Sequence, residues 1–270
     1  MEESVEKMAD LAAHRALARA FAEGFRSSPH AISGQEWLDR EDLMTRAWEL
    51  ACCLECGDLT TDSHQIQIES LCRFLGLGQN RRQTIQDVVF GLLISKDCPP
   101  YETEYLPLRD TTYISQEMAD IAGFYRAFGL EPDKSHPERV DHVSLELDFV
   151  DHLLTRMIGL SQSYDPRSEL HFEVTESALR EFVECHLGRW VFLFSKAFDK
   201  RIEMLIPSVS VEDRDLLVHY RQFGFLLNSW VESLCDEFEI QPTPITLDGE
   251  SDDPLIDDAA STGCDGCMSS

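Results

Sequence analysis

The sequence predicts an all-α fold, and three observations predict it. Apolar residues recur at helical spacing in segment after segment. Long runs of strand-like alternation are hard to find. Glycine or proline stands where most of these segments should end. With 270 residues, 43% of them hydrophobic and 9% aromatic, the chain has material for one large core or two small ones.

The elements follow in order. Residues 11–25 place Leu11, Ala18, Phe21 and Phe25 on one side of a first helix, which stops at RSSPH. Residues 41–55 repeat the pattern with Leu43, Ala47, Leu50 and Leu54, and Gly57 ends it. A third helix over 65–78 closes at Gly76 and Gly78, and a fourth over 81–95 should end before Pro99 and Pro100. The segment CPPYETEY, residues 98–105, then breaks the rhythm. If it is helical, Tyr101 and Tyr105 share a face. If it is extended, Tyr101, Thr103 and Tyr105 do, with Glu102 and Glu104 opposite.

A fifth helix is expected over 112–130, with Ser115 as N-cap, Met118, Ile121, Ala122 and Tyr125 on one face, and Gly129 at its end. EPDKSHPE, at 131–138, reads as a linker. Pro137 suits the first turn of a long helix running to about Leu160. Two more helices should start at Thr175 and at Ser210, the latter with Asp213 three residues on, close to a capping box. From residue 241 the pattern dissolves. Seven acids lie between Asp248 and Asp265 with no Lys or Arg, which predicts a disordered acidic tail. The expected organisation is an N-terminal helical part at 1–130, a hinge at 131–137, a C-terminal helical part at 138–240 and the tail at 241–270.

Acids outnumber bases 50 to 23, a net charge of −27, which argues against nucleic acid or an anionic membrane as partner. No apolar run approaches the ~18 residues of a membrane span. The start MEESVEKMAD is too acidic for a secretory signal, so a cytoplasmic location is expected. Nine cysteines in such a compartment are expected as free thiols. The pairs Cys53/Cys56 and Cys264/Cys267 have metal-ligand spacing without a fixed context, so no metal is expected.

The helix after Pro137 carries the most informative anomaly. Val140, Val143, Leu147, Val150, Leu153, Leu154 and Met157 fill one arc, and Asp141, Asp148 and His152 lie opposite, toward solvent. Glu146 falls inside the apolar arc, and His142, one turn earlier, lies at its edge. A buried carboxylate must be paired or protonated. His142 is the nearest partner at four residues' spacing, and a bond to another helix is equally open. The pair is either structural or part of a polar site at a helix crossing. Asp141, near the helix start, would cap it or face a ligand.

CPPYETEY, MADIAGFYRAFGL, ERVDHVSLELDFVDHLL and EFVECHLGRWVFLFSKAF, in this order and spacing, resemble the TorD/DmsD/NarJ family of cytoplasmic molybdoenzyme chaperones. The resemblance spans about residues 11–235 and looks closest to chaperones of type II DMSO-reductase-family enzymes. It implies a TorD-like multi-helix bundle without catalytic activity or cofactor of its own. It implies as partner the apo catalytic subunit of a molybdopterin oxidoreductase, held for cofactor insertion, and its twin-arginine leader. It also implies that export is delayed until loading is complete. Family members include monomers and domain-swapped dimers.

Carried over by motif, the client-binding residues are Tyr101, Glu102 and Tyr105 of CPPYETEY and Asp141, His142, Glu146 and Leu147 of DHVSLEL. Pro99, Pro100, His186 and Trp190 are supports. On this basis Tyr101 and Tyr105 are expected to pack, Glu102 to be satisfied inside, and Glu104 to be the more exposed acid. The alternatives are a regulatory interaction protein of the same fold, or a metal protein using His142 and Glu146 or the C-x-x-C pairs. No H-E-x-x-H, P-loop or dinucleotide-binding glycine motif supports an enzyme.

Overall fold

The computed structural model describes residues 2–27, 61–91, 97–107, 110–131 and 138–245. The helix expected at 41–55 with Cys53 and Cys56, most of the expected hinge, and the tail from 246 with Cys264 and Cys267 lie outside the described residues. The architecture is all-helical as expected: α1 (Glu2–Phe25), α2 (Thr61–Leu75), α3 (Gln79–Phe90), a 3-10 turn at Glu102–Glu104, α4 (Thr111–Ala127), α5 (Val143–Ser161), α6 (Ser168–Phe182), a π turn at Val183–Leu187, α7 (Gly188–Leu205), a 3-10 turn at Ile206–Ser208 and α8 (Val211–Glu237). The extended backbone reduces to a single antiparallel bridge, Tyr101 to His142, among the described residues. Among these residues no helix is long and apolar enough to cross a membrane.

Packing crosses the expected hinge. α1 lies along α5 and also meets α8, so the N-terminal and C-terminal parts share one core. That core holds two aromatic clusters. In the first, Phe25 from α1 meets Phe194 and Phe198 of α7 and Tyr220 and Phe223 of α8 at ring separations of 5.3–6.0 Å. Phe74 from α2 stacks on Tyr220 at 4.1 Å. In the second, Phe149 of α5 meets Tyr125 of α4 at 5.1 Å and Phe182 of α6 at 4.7 Å. Burying such rings supplies most of the drive to fold.

One buried ion pair ties the first cluster to α3. Arg82 Nη1 donates to Glu23 Oε1 at 2.6 Å, and both side chains are almost wholly enclosed. Tyr220 and Gln86 both donate to the carbonyl of Gly24 at 2.9 Å, so one backbone group of α1 receives bonds from α8 and α3.

Several helix starts differ from expectation, each for a local reason. α4 is capped by Asp110, whose carboxylate accepts from the Thr112 amide at 2.7 Å, while Ser115 lies within the helix and bonds back to the Thr111 carbonyl. α5 begins at Val143 rather than Pro137, with His142 as the cap. α6 begins at Ser168, seven residues before Thr175. Thr175 is buried and bonds to the His171 carbonyl. α3 ends at Gly91, whose φ of +77° a side-chain-bearing residue rarely adopts, and not at Pro99. α8 starts as expected: Ser210 Oγ accepts from the Asp213 amide at 3.1 Å and donates to the Asp213 carboxylate at 2.7 Å. The first stretch of the expected tail is held to the bundle, since buried Ile245 donates its amide to the Arg189 carbonyl at 3.0 Å.

Candidate functional site

The CPPYETEY segment is pinned to the start of α5. The Val143 amide donates to the Pro100 carbonyl at 2.9 Å, and the Glu102 amide to the Asp141 carbonyl at 3.0 Å. Pro99 and Pro100 are buried and end the preceding path. The chain then turns through one 3-10 turn, so neither alternative drawn from the sequence holds over the whole segment. Tyr101 is half-buried, with its ring 5.1 Å from that of His142. Tyr105 is buried, with its ring 5.4 Å from that of Trp190. Glu102 is fully buried, and Glu104 is more exposed.

Two polar networks meet at this bridge. The first surrounds Asp141. It was expected on the wet face, but α5 starts later than the sequence suggested. Asp141 therefore lies in the preceding turn and is fully buried. Its Oδ2 accepts from the Thr103 hydroxyl at 2.7 Å and the Thr103 amide at 3.2 Å. Arg139 grips the same carboxylate with both prongs, Nε to Oδ1 at 3.1 Å and Nη2 to Oδ2 at 2.8 Å. Arg139 Nη1 also reaches Glu104 at 3.1 Å, and its guanidinium sits 4.2 Å over the Tyr101 ring. The Tyr101 hydroxyl donates to Glu138 Oε1 at 3.2 Å, and the Ser27 hydroxyl donates to Glu138 Oε2. Burial, with Glu138 beside it, pushes the Tyr101 phenol up to about 12.

His142 does not pair with Glu146. Its Nδ1 accepts from the Ser144 amide at 3.1 Å and lies 2.8 Å from the Ser144 hydroxyl, which caps α5 and leaves the ring proton on Nε2. Burial lowers His142 to about 4, so the cap is neutral at physiological pH.

The second network is deeper. Glu146, 0% exposed, accepts from the Trp190 indole N–H at 3.0 Å. Its other oxygen, Oε1, is enclosed without a hydrogen-bond partner. Burial, then the charge of Glu102, raises Glu146 well above the usual carboxylate range, which favours the protonated acid. Glu102 faces His186, with Nδ1 at 3.1 Å, and His186 Nε2 lies 3.3 Å from Asp120. Burial is the largest single influence and would lower His186, but the bond to Glu102 and the charges of Glu102, Asp120 and Glu117 together outweigh it, and the imidazole is raised on balance.

Among the described residues, Glu102, Glu117 and His186 also bring possible metal ligands within 4.8 Å of one another. Both nitrogens of His186 already face carboxylates, so the set is satisfied as a hydrogen-bond relay. Cys72 and Cys98 are buried and Cys185 is exposed.

The structure thus brings together Tyr101, Glu102, Asp141, His142, Glu146, His186 and Trp190, and places Leu147 in the core. Sequence reasoning missed Glu138, Arg139 and Thr103, all of which stand inside or beside the motifs. It also missed Asp120 on α4, which carries no signal beyond an exposed acid on a helix.

A family model described as nitrate reductase delta subunit matches residues 62–196, half of the chain. The perchlorate reductase assembly chaperone protein of Dechloromonas aromatica (strain RCB) is 29% identical over 114 residues, 42% of this chain and 49% of the relative. The chain therefore spans about half the length of this curated relative. No solved structure matches it. The chain belongs to the nitrate reductase delta subunit family of molybdoenzyme assembly chaperones.

Proposed function

We propose that this chaperone serves one DMSO-reductase-family molybdoenzyme in the cytoplasm. It binds the apo catalytic subunit, supports molybdenum cofactor insertion, and holds the twin-arginine leader until loading is complete. The family membership and the perchlorate reductase chaperone relative support the assembly role.

One observation carries the leader-binding part. Bridging Tyr101 to His142 sets a half-buried aromatic face beside Glu104, Glu138 and Asp141. A leader offers guanidinium groups and an apolar stretch, and carboxylates with an aromatic plane are what a guanidinium recognises. The strongly acidic chain attracts such a peptide over a Debye length of about 8 Å. In this reading Tyr101 and Asp141 are client contacts. Glu102, Tyr105, His142, Glu146 and Leu147 act by holding the two segments in register, with Pro99, Pro100, His186 and Trp190 behind them.

Co-expression with the molybdopterin oxidoreductase subunit encoded nearest to it tests the proposal. Co-purification of the cofactor-free subunit is expected, with weaker recovery when the leader is deleted. Recovery of the cofactor-loaded subunit alone, or of none, would overturn it.

A further inference from the structure

The Tyr101–Asp141 face already holds an arginine, and it belongs to the chain itself. Arg139 makes a two-pronged contact to Asp141, donates to Thr103 Oγ1 at 2.8 Å and to Glu104 at 3.1 Å, and stacks at 4.2 Å on Tyr101. Bidentate carboxylate, hydroxyl acceptor, second carboxylate and aromatic plane together form a complete guanidinium cradle. The carboxylate of Asp141 is fully enclosed, whereas the Arg139 side chain keeps 30% of its surface exposed. The guanidinium therefore lies between Asp141 and solvent.

Resting on the leader-binding reading above, we propose that Arg139 is an internal stand-in for a client arginine, and that client binding is an exchange. The client's guanidinium takes the cradle and Arg139 swings out. Two features fit this. Arg139 lies in the short non-helical stretch before the His142 cap, so its side chain can leave without unwinding a helix turn. The local backbone turn is held independently, by the His142 amide on the Arg139 carbonyl at 3.1 Å. An exchange of like for like makes the cradle selective for arginine over lysine, because an ammonium has no planar fork. It also scales apparent affinity down to the fraction of time that Arg139 leaves the site free.

The test uses full-length protein and the variant Arg139→Ala. The probes are methylguanidinium, methylammonium, a leader-type Arg-Arg peptide and its Lys-Lys counterpart. Methylguanidinium is expected to raise the melting temperature of Arg139→Ala but not of the wild type, and methylammonium to do neither. The Arg-Arg peptide is expected to bind Arg139→Ala about tenfold more tightly than wild type, with no such gain for the Lys-Lys peptide. If the wild type binds the Arg-Arg peptide and the variant binds it equally or less well, the exchange is overturned while leader binding stands. If neither protein binds the peptide, even though methylguanidinium fills the emptied cradle, leader binding and the exchange both fail. Should Arg139→Ala not fold, Arg139→Gln carries the same comparison.

Discussion

Glu146 accepts the indole N–H of Trp190 at 3.0 Å, 44 residues along the chain, and through this bond the interior of α5 is fastened to α7. Neither group reaches solvent. The relation explains how a carboxyl group survives in the middle of an apolar helix face. One oxygen takes the indole donor, and burial with the charge of Glu102 favours the protonated acid.

Stability should therefore report the proton on Glu146. Its folded-state pKa is raised above the ordinary 4.5. The stabilisation it gives is full below about pH 4.5 and is lost as pH rises toward the folded value. Gln mimics the protonated acid and has nothing to ionise. From pH 5 upward, Glu146→Gln should gain on the wild type by about 1.4 kcal/mol per pH unit, read as the difference between urea unfolding curves. Parallel pH profiles for the two proteins would mean that Glu146 is ionised in both states.

Trp190→Phe keeps an aromatic ring in the core but removes the donor. It should cost about 1–3 kcal/mol in urea unfolding at neutral pH. The loss should be much the same in the Glu146→Gln background, since a Gln carbonyl accepts the same bond.

Asp141→Asn should weaken the protein by about 1–3 kcal/mol. That value is reduced from a fully buried pair because Arg139 is partly exposed. The damage should be local, appearing as faster amide exchange in residues 101–104 and 138–143 with little change in α8. Uniform loss of protection would refute a local role.

Gly24→Ala probes the closest helix approach. A Cβ there would stand 2.0 Å from the Phe223 ring, so α1 and α8 must part. A loss of about 1–3 kcal/mol is expected, with a lowered melting temperature. Gly123→Ala, where a Cβ meets nothing within 4 Å, is the control and should be neutral or slightly stabilising.

Much of this was legible in the sequence because helical periodicity is a repeated signal. Leu11, Ala18, Phe21 and Phe25 were placed on the buried side of α1, and all four are buried. The Ser210 cap was read from its own hydroxyl and Asp213. The start of α5 was misread because a proline suited to a first turn looks the same whether or not a helix follows it. Asp141 then moved from a wet helix face into a buried turn, and His142 became a cap instead of a partner for Glu146. The hydrogen-bond partner of Glu146 is Trp190, and the charge that acts on it is that of Glu102, both on other segments. Periodicity within one helix cannot name them.

The bridge between Tyr101 and His142 also ties the site to the order of folding. Its two backbone bonds join segments distant in the chain, so neither can form until the intervening α4 has folded back and the loop entropy has been met. The acid-and-aromatic face is therefore a product of tertiary closure and not of either segment alone.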